Sequence, residues 1–129
     1  MSLLILVVDD EPDVEALFRQ QFRRDIRDGR FTMDFARSAE SALKLISDAA
    51  MASLILILSD INMPGMTGLE LLPKAKAARP DVPVIMITAN SHYVTQQESE
   101  AAGASLFLTK PFSPGKLLNE IRRLVSQNT

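Results

Sequence analysis

The stretch Leu54-Ile55-Leu56-Ile57-Leu58-Ser59-Asp60-Ile61-Asn62-Met63-Pro64-Gly65 decides the fold. Its apolar run from Leu54 to Leu58 is too short for a core helix and reads as a strand buried on both faces. A lone carboxylate, Asp60, stands where that run ends. Pro64 and Gly65 then form a loop leading into Gly68-Leu69-Glu70-Leu71-Leu72, a segment of helical character. In an open parallel sheet, ligands sit outside the carboxyl ends of the strands. Asp60 is therefore the candidate working residue, and residues at the other strand ends are its candidate partners.

Upstream, Leu3 to Val8 is a second continuous apolar run, ended abruptly by Asp9-Asp10-Glu11. Pro12 suits the first turn of a helix, and Asp13 and Glu15 suit its positive end. Val14, Leu17, Phe18, Phe22 and Ile26 recur at helical spacing and predict one amphipathic helix, closed by Asp28-Gly29. Phe31, Met33 and Phe35 alternate with polar or small residues, which predicts a half-buried edge strand. Ser38 can cap the next helix, whose core face is Ala39, Ala42, Leu43 and Ile46.

Downstream, a helix is predicted over about 68–78, with Pro73 inside it forcing a kink or a late start. Pro83 to Thr88 reads as a fourth strand. Ser91 to Ala102 reads as a weakly amphipathic helix ending at Gly103. Ser105 to Thr109 is a fifth strand. Ser113 caps and Pro114 opens a last helix, buried through Leu117, Leu118, Ile121, Leu124 and Val125.

The result is an α/β chain with βα repeated five times, hence a parallel sheet with helices on both faces. The most apolar strands belong in the centre and the alternating second strand at an edge. A single doubly wound five-stranded sheet of order 2-1-3-4-5, the flavodoxin-like (βα)5 arrangement, meets both demands with right-handed crossovers. The rival Rossmann order lacks its G-x-G-x-x-G after the first strand, and no phosphate-binding G-x-x-x-x-G-K-[ST] occurs.

At 129 residues the chain fits one domain, residues 1–129. No run approaches a membrane span, and no signal-like basic leader precedes the first apolar run. The lack of cysteine excludes disulfides, thiolate metal sites and cysteine nucleophiles, and is compatible with a cytoplasmic location. A net charge of −2 disfavours direct nucleic-acid binding, and the arginines between Arg19 and Arg30 read as a solvated helix face. His92 is a lone histidine and is assigned no metal.

With all strands parallel, their tips gather Asp9 and Asp10, Asp60, Thr88 and Lys110 along one edge. Clustered carboxylates repel and call for a cation, and an all-oxygen set suits a hard ion such as Mg²⁺. A lysine beside them can pair with a carboxylate at rest and with a phosphoryl oxygen in action, and a threonine hydroxyl can donate to the same oxygen. Carboxylates also act as nucleophiles toward phosphoryl groups.

Val7-Val8-Asp9-Asp10-Glu11-Pro12, the run from Ser59 to Gly68, Thr88-Ala89 and Lys110-Pro111-Phe112 together resemble the receiver domain of two-component response regulators. The resemblance covers essentially the whole chain. It implies that Asp60 is the phosphoacceptor, and that Asp9, Asp10, Asp60 and the backbone carbonyl of Asn62 hold Mg²⁺. It implies that Thr88 and Lys110 bind the phosphoryl group, that Ala89 leaves room for it, and that Lys110-Pro111 is a cis peptide. Phe107 sits where the family has its aromatic switch residue. The implied protein is a cytoplasmic signalling switch phosphorylated by a sensor histidine kinase or a phosphotransfer protein. It acts on an output domain or downstream protein, and it is not an enzyme toward any separate metabolite. Thr67 departs from a frequent aspartate. Ala104-Ser105 lacks the acidic pair of members that dimerise through the adjoining face, so a dimer stays open.

Two rivals share the carboxylates. A Mg²⁺-dependent phosphohydrolase would want a second acid two residues after the nucleophile, where this chain has Asn62. A Mg²⁺-dependent nucleic-acid enzyme would want a basic groove. A third, an interaction module without chemistry, is disfavoured by retention of all five active residues.

Overall fold

The computed structural model describes residues 3–48, 54–61, 63–88, 106–109 and 114–127, with the backbone alone for 88, 106–109, 114, 118 and 124–127. Its elements in order are β1 (Leu4–Val8), α1 (Pro12–Gln21), α2 (Arg23–Arg27), β2 (Thr32–Ala36), α3 (Ala39–Ile46) and β3 (Leu54–Asp60). They continue with α4 (Gly68–Ala78), β4 (Val84–Thr88), β5 (Leu106–Thr109) and α5 (Pro114–Gln127). The strands pair in parallel in the order β2-β1-β3-β4, with the backbone of β5 running alongside β4. The helix expected over 91–102 lies outside the described residues.

The continuous apolar strands follow from this layering. Along β1, Leu6 and Val8 enter one core with Ala39, Ile46, Leu71 and Leu72 of α3 and α4. Ile5 and Val7 enter the other with Phe18, Phe22, Leu117 and Ile121 of α1 and α5 and the segment between α1 and α2. Alternate side chains on a strand point to opposite faces, so a strand covered on both must be apolar at every position. β2 pairs on one side only and alternates, with Thr32 and Asp34 exposed and Met33 buried.

Several expectations need correcting. The helix predicted as one piece from Pro12 is two, broken at Phe22 (φ −106°, ψ 20°). Phe22 still donates its N–H to Phe18 and accepts from Ile26, so the chain turns without losing its hydrogen bonds. The turn seats Phe22 at 1% exposure against the rings of Phe18 and Phe31. Leu17, expected in the core, is 49% exposed because the narrow buried stripe of α1 runs through Phe18 instead. α4 starts at Gly68 and runs through Pro73, so a late start is not how the proline is accommodated. Its missing N–H leaves the Leu69 carbonyl without a helical donor.

Other local expectations hold. Ser38 caps α3 by accepting from the Ser41 N–H at 3.1 Å. Gly29 takes a positive φ of 75° just after α2, where a side chain would be strained. Leu117 and Ile121 are buried in α5. Ser113 lies outside the described residues, and the backbone alone is described for Leu118, Leu124 and Val125. Among the described residues, no helix is long and apolar enough to cross a membrane.

Candidate functional site

Two chain exits build the site. Past the end of β1, the Asp9 N–H still donates to Ala36 of β2 at 3.0 Å. The Asp9 side chain then folds back, its Oδ1 accepting from the Glu11 N–H at 3.0 Å, which turns the chain into α1 at Pro12. On the next strand, Asp60 is the last residue of β3 and pairs with Ile87 of β4. Val8 pairs with Ser59, so the residues that follow, Asp9 and Asp60, emerge side by side. Asp9 is 8% and Asp60 6% exposed, while Asp10 is half-buried. Carboxylate oxygens of all three lie within 4.8 Å of one another.

The loop after Asp60 is tied down at several points. The Ile61 N–H donates to Ile87 at 3.0 Å, and the Gly68 N–H donates to Ile61 at 2.9 Å. A Cβ on Gly68 would collide with the Asp60 carbonyl oxygen and lie 2.9 Å from Cε of Met86. Only glycine lets α4 begin this close to the working strand tip. Thr67 and Glu70 form a reciprocal cap. The Thr67 hydroxyl accepts from the Glu70 N–H at 3.2 Å, and the Glu70 carboxylate accepts from the Thr67 N–H at 3.1 Å. Glu40 of α3 reaches across to accept from the Met66 N–H at 3.2 Å. Hydrogen bonds from its own backbone amide and that of Met66 hold the Glu40 carboxyl below the usual carboxylate range.

The remaining sequence candidates divide by position. Thr88 ends β4, its backbone paired with Thr109, the last residue of β5. Both therefore reach the edge that carries Asp9 and Asp60. Phe107 has its backbone in β5, paired with Met86. The side chains of Thr88 and Phe107 are not described, and Asn62, Ala89, Lys110 and the Lys110-Pro111 peptide lie outside the described residues. A cavity of about 480 Å³ adjoins the carboxylates on the α1 side, lined by Val14, Leu17, Phe18, Leu58 and Ile87 together with Asp9 and Asp60.

Three carboxylates this close repel one another. At 4.8 Å, each ionised pair costs about 3.5 kcal/mol at an effective dielectric of about 20. The donor set is oxygen only, and two of its three members are buried at a strand edge. That set fits a small hard cation such as Mg²⁺, which is held by one or a few carboxylates and keeps sites open for water and phosphate.

The sequence profile of the response regulator receiver domain matches residues 5–122, nearly the whole chain. The chain belongs to the response regulator receiver domain family. Receiver domains operate in two-component signalling, and they bind Mg²⁺ through acidic residues of the kind gathered here. The response regulator MprA of Mycobacterium ulcerans is 32% identical over 97% of this chain and 51% of its own length. The chain thus spans about half the length of the MprA relatives it matches. A CheY-like receiver domain protein from Methanospirillum hungatei superposes with a TM-score of 0.87 at 30% identity, over 99% of this chain and 98% of that one. The response regulator TrrA of Thermotoga maritima, solved in complex with Mg²⁺-BeF, superposes with a TM-score of 0.77 at 31% identity, over 95% and 98% of the two chains.

For this receiver domain, the sequence reading missed Gly68 and Glu40 as residues that hold the Asp60 loop. The Thr67-x-x-Glu70 spacing was a legible capping signal. Glu40 carried no signal, because its partner is a backbone amide on another element.

Proposed function

We propose that this receiver domain, residues 1–129 in the complete (βα)5 arrangement, is a phosphorylation-controlled switch whose phosphoacceptor is Asp60. The observation that carries the reading is the convergence of Asp9, Asp10 and Asp60 within 4.8 Å at the tips of β1 and β3. Of the three, Asp60 alone ends a central strand and stands beside β4, which leads to Thr88.

In this reading a carboxylate oxygen of Asp60 attacks the phosphorus of a phosphohistidine on a sensor kinase or phosphotransfer protein. The P–N bond breaks and an acyl phosphate forms on Asp60. Asp9, Asp10, Asp60 and the Asn62 carbonyl would hold Mg²⁺, whose charge would offset that of the phosphoryl oxygens. The Lys110 ammonium pairs with a phosphoryl oxygen, and the Thr88 hydroxyl donates to another. Ala89 leaves space for the group. Hydrolysis by water returns the Asp60 carboxylate. The domain turns over no metabolite beyond its own phosphoryl group, so it is a signalling element rather than an enzyme.

The new charge draws Thr88 toward Asp60 and biases the face formed by residues 91–102 and β5, with Phe107 following. Such a local charge event shifts a two-state element. That face then engages an output domain or downstream protein in the cytoplasm.

Backbone amide shifts with beryllofluoride as the phosphoryl mimic test the switch. In the wild type they should appear at Thr88, across 91–102 and around Phe107. In Thr88→Ala they should stay near Asp60, and in Lys110→Ala they should weaken throughout. Wild-type shifts confined to the Asp60 loop would leave the reading without a mechanism.

A further inference from the structure

At the opposite edge of the sheet, where β2 begins, Asp25 is only 5% exposed although it lies in a short arginine-rich helix. Its Oδ1 accepts from Nη1 of Arg30 at 2.6 Å, and Nη2 of Arg122, on α5, lies 4.0 Å from the same oxygen. One cation neutralises one buried carboxylate, and Arg30 supplies it. Arg122 is beyond hydrogen-bond distance, so it is surplus to that need. The two side chains remain 54% and 58% exposed. Two guanidinium groups therefore stand side by side at the surface around a single acid. Among the described residues, most of their N–H donors have no protein acceptor.

The surroundings add to this surplus. Arg23 and Arg24 are exposed, while Arg27 pairs with Asp28 at 3.5 Å and Arg123 with Glu120 at 2.7 Å. Around the α2–α5 contact, six arginines stand against three carboxylates. The other residues of the chain hold eight cations against thirteen carboxylates. The Thr32 N–H donates to the Leu3 carbonyl at 2.7 Å, which sets this patch at the N-terminal edge of the strands, away from Asp60.

We propose that Arg30 and Arg122, with Arg23 and Arg24 beside them, form a docking surface for an acidic segment of a partner protein. An incoming Asp or Glu carboxylate bridges the two guanidinium groups. Asp25 holds the Arg30 fork in place and keeps Arg122 near it, so less side-chain entropy is lost on binding. A polyanion fits worse. Duplex binding rests on neutralising many phosphates in a row, and the acidic remainder of this chain repels the rest of a long phosphate track.

The test is an amide-shift titration of the 129-residue chain with a Glu-rich peptide, with a Gln-for-Glu peptide as control. Arg122→Gln leaves the Arg30–Asp25 pair intact, and a second variant replaces Arg23 and Arg24 with Gln. Shifts should appear over 23–30 and 120–123 with the acidic peptide only. Each variant should bind about threefold to fivefold more weakly, as for removal of an exposed ion pair. Labelling of Asp60 by a small phosphodonor should not change in either. Absence of shifts there, or unchanged affinity in both variants, would overturn the proposal. So would tighter binding of a duplex oligonucleotide or of anionic lipid vesicles than of the acidic peptide.

Discussion

Replacing Asp9 and Asp10 together with Asn should stabilise the metal-free domain and remove its response to Mg²⁺. Carboxylate oxygens of Asp9, Asp10 and Asp60 lie within 4.8 Å of one another. Three ionised pairs at that spacing repel by about 0.9 kcal/mol each in water and about 3.5 kcal/mol each at an effective dielectric of about 20. Asp10 is half-buried, so solvent and salt screen its share. A net gain of about 1–3 kcal/mol is expected for the metal-free double variant at low salt. Asn keeps the Oδ1 that accepts from the Glu11 N–H, so the turn into α1 survives the change. In Mg²⁺ at about 100 times its dissociation constant, the wild type should gain about 2.7 kcal/mol and the variant nothing. The order of stabilities should therefore narrow or invert. Urea denaturation with chelator and with Mg²⁺ measures all four states. A double variant less stable than wild type in chelator, or an equal Mg²⁺ gain in both proteins, would refute the reasoning.

Gly68→Ala should destabilise by about 1–3 kcal/mol, the usual range for overpacking, because the new Cβ meets the Asp60 carbonyl rather than a yielding side chain. It should also slow labelling of Asp60, and unchanged stability and labelling would show that the close approach is unimportant. Glu40→Gln should lower stability at neutral pH, read by urea midpoint, and converge with wild type in acid. The sign follows from a folded-state carboxyl held below its ordinary value by the amides of its own residue and Met66. Its contribution is present above the unfolded-state value and lost as pH falls through the lower folded one. Parallel pH profiles for the two proteins would show that the Met66 contact adds nothing.

The architecture was legible because burial on two faces leaves a plain mark. Leu54 to Leu58 and Leu3 to Val8 carry no polar residue, and the order β2-β1-β3-β4 follows once the alternating strand is sent to the edge. The carboxylate cluster was legible for a topological reason: parallel strands share one tip edge, so Asp9, Asp10 and Asp60 had to meet. What escaped depends on contacts a one-dimensional pattern does not hold. No glycine or proline marks the break at Phe22, which packs against Phe18 and Phe31. Leu17 fits the helical period but falls beside the stripe that faces the core. Asp25 is buried within a stretch whose arginines read as a solvated helix face, and Arg122, the second guanidinium near it, is on the last helix. Pro73 left a kink or a late start open within the helix expected over 68–78, and the Thr67–Glu70 cap, which begins α4 at Gly68, removes the late start.

The central claim is that Asp60 takes the phosphoryl group. Incubation of the 129-residue chain with a small phosphodonor and Mg²⁺, followed by intact mass, borohydride trapping and peptide mapping, tests it directly. One phosphoryl group on Asp60, absent in Asp60→Asn and absent in chelator, is the expected result. Label on any other residue, or undiminished label in Asp60→Asn, would contradict the account.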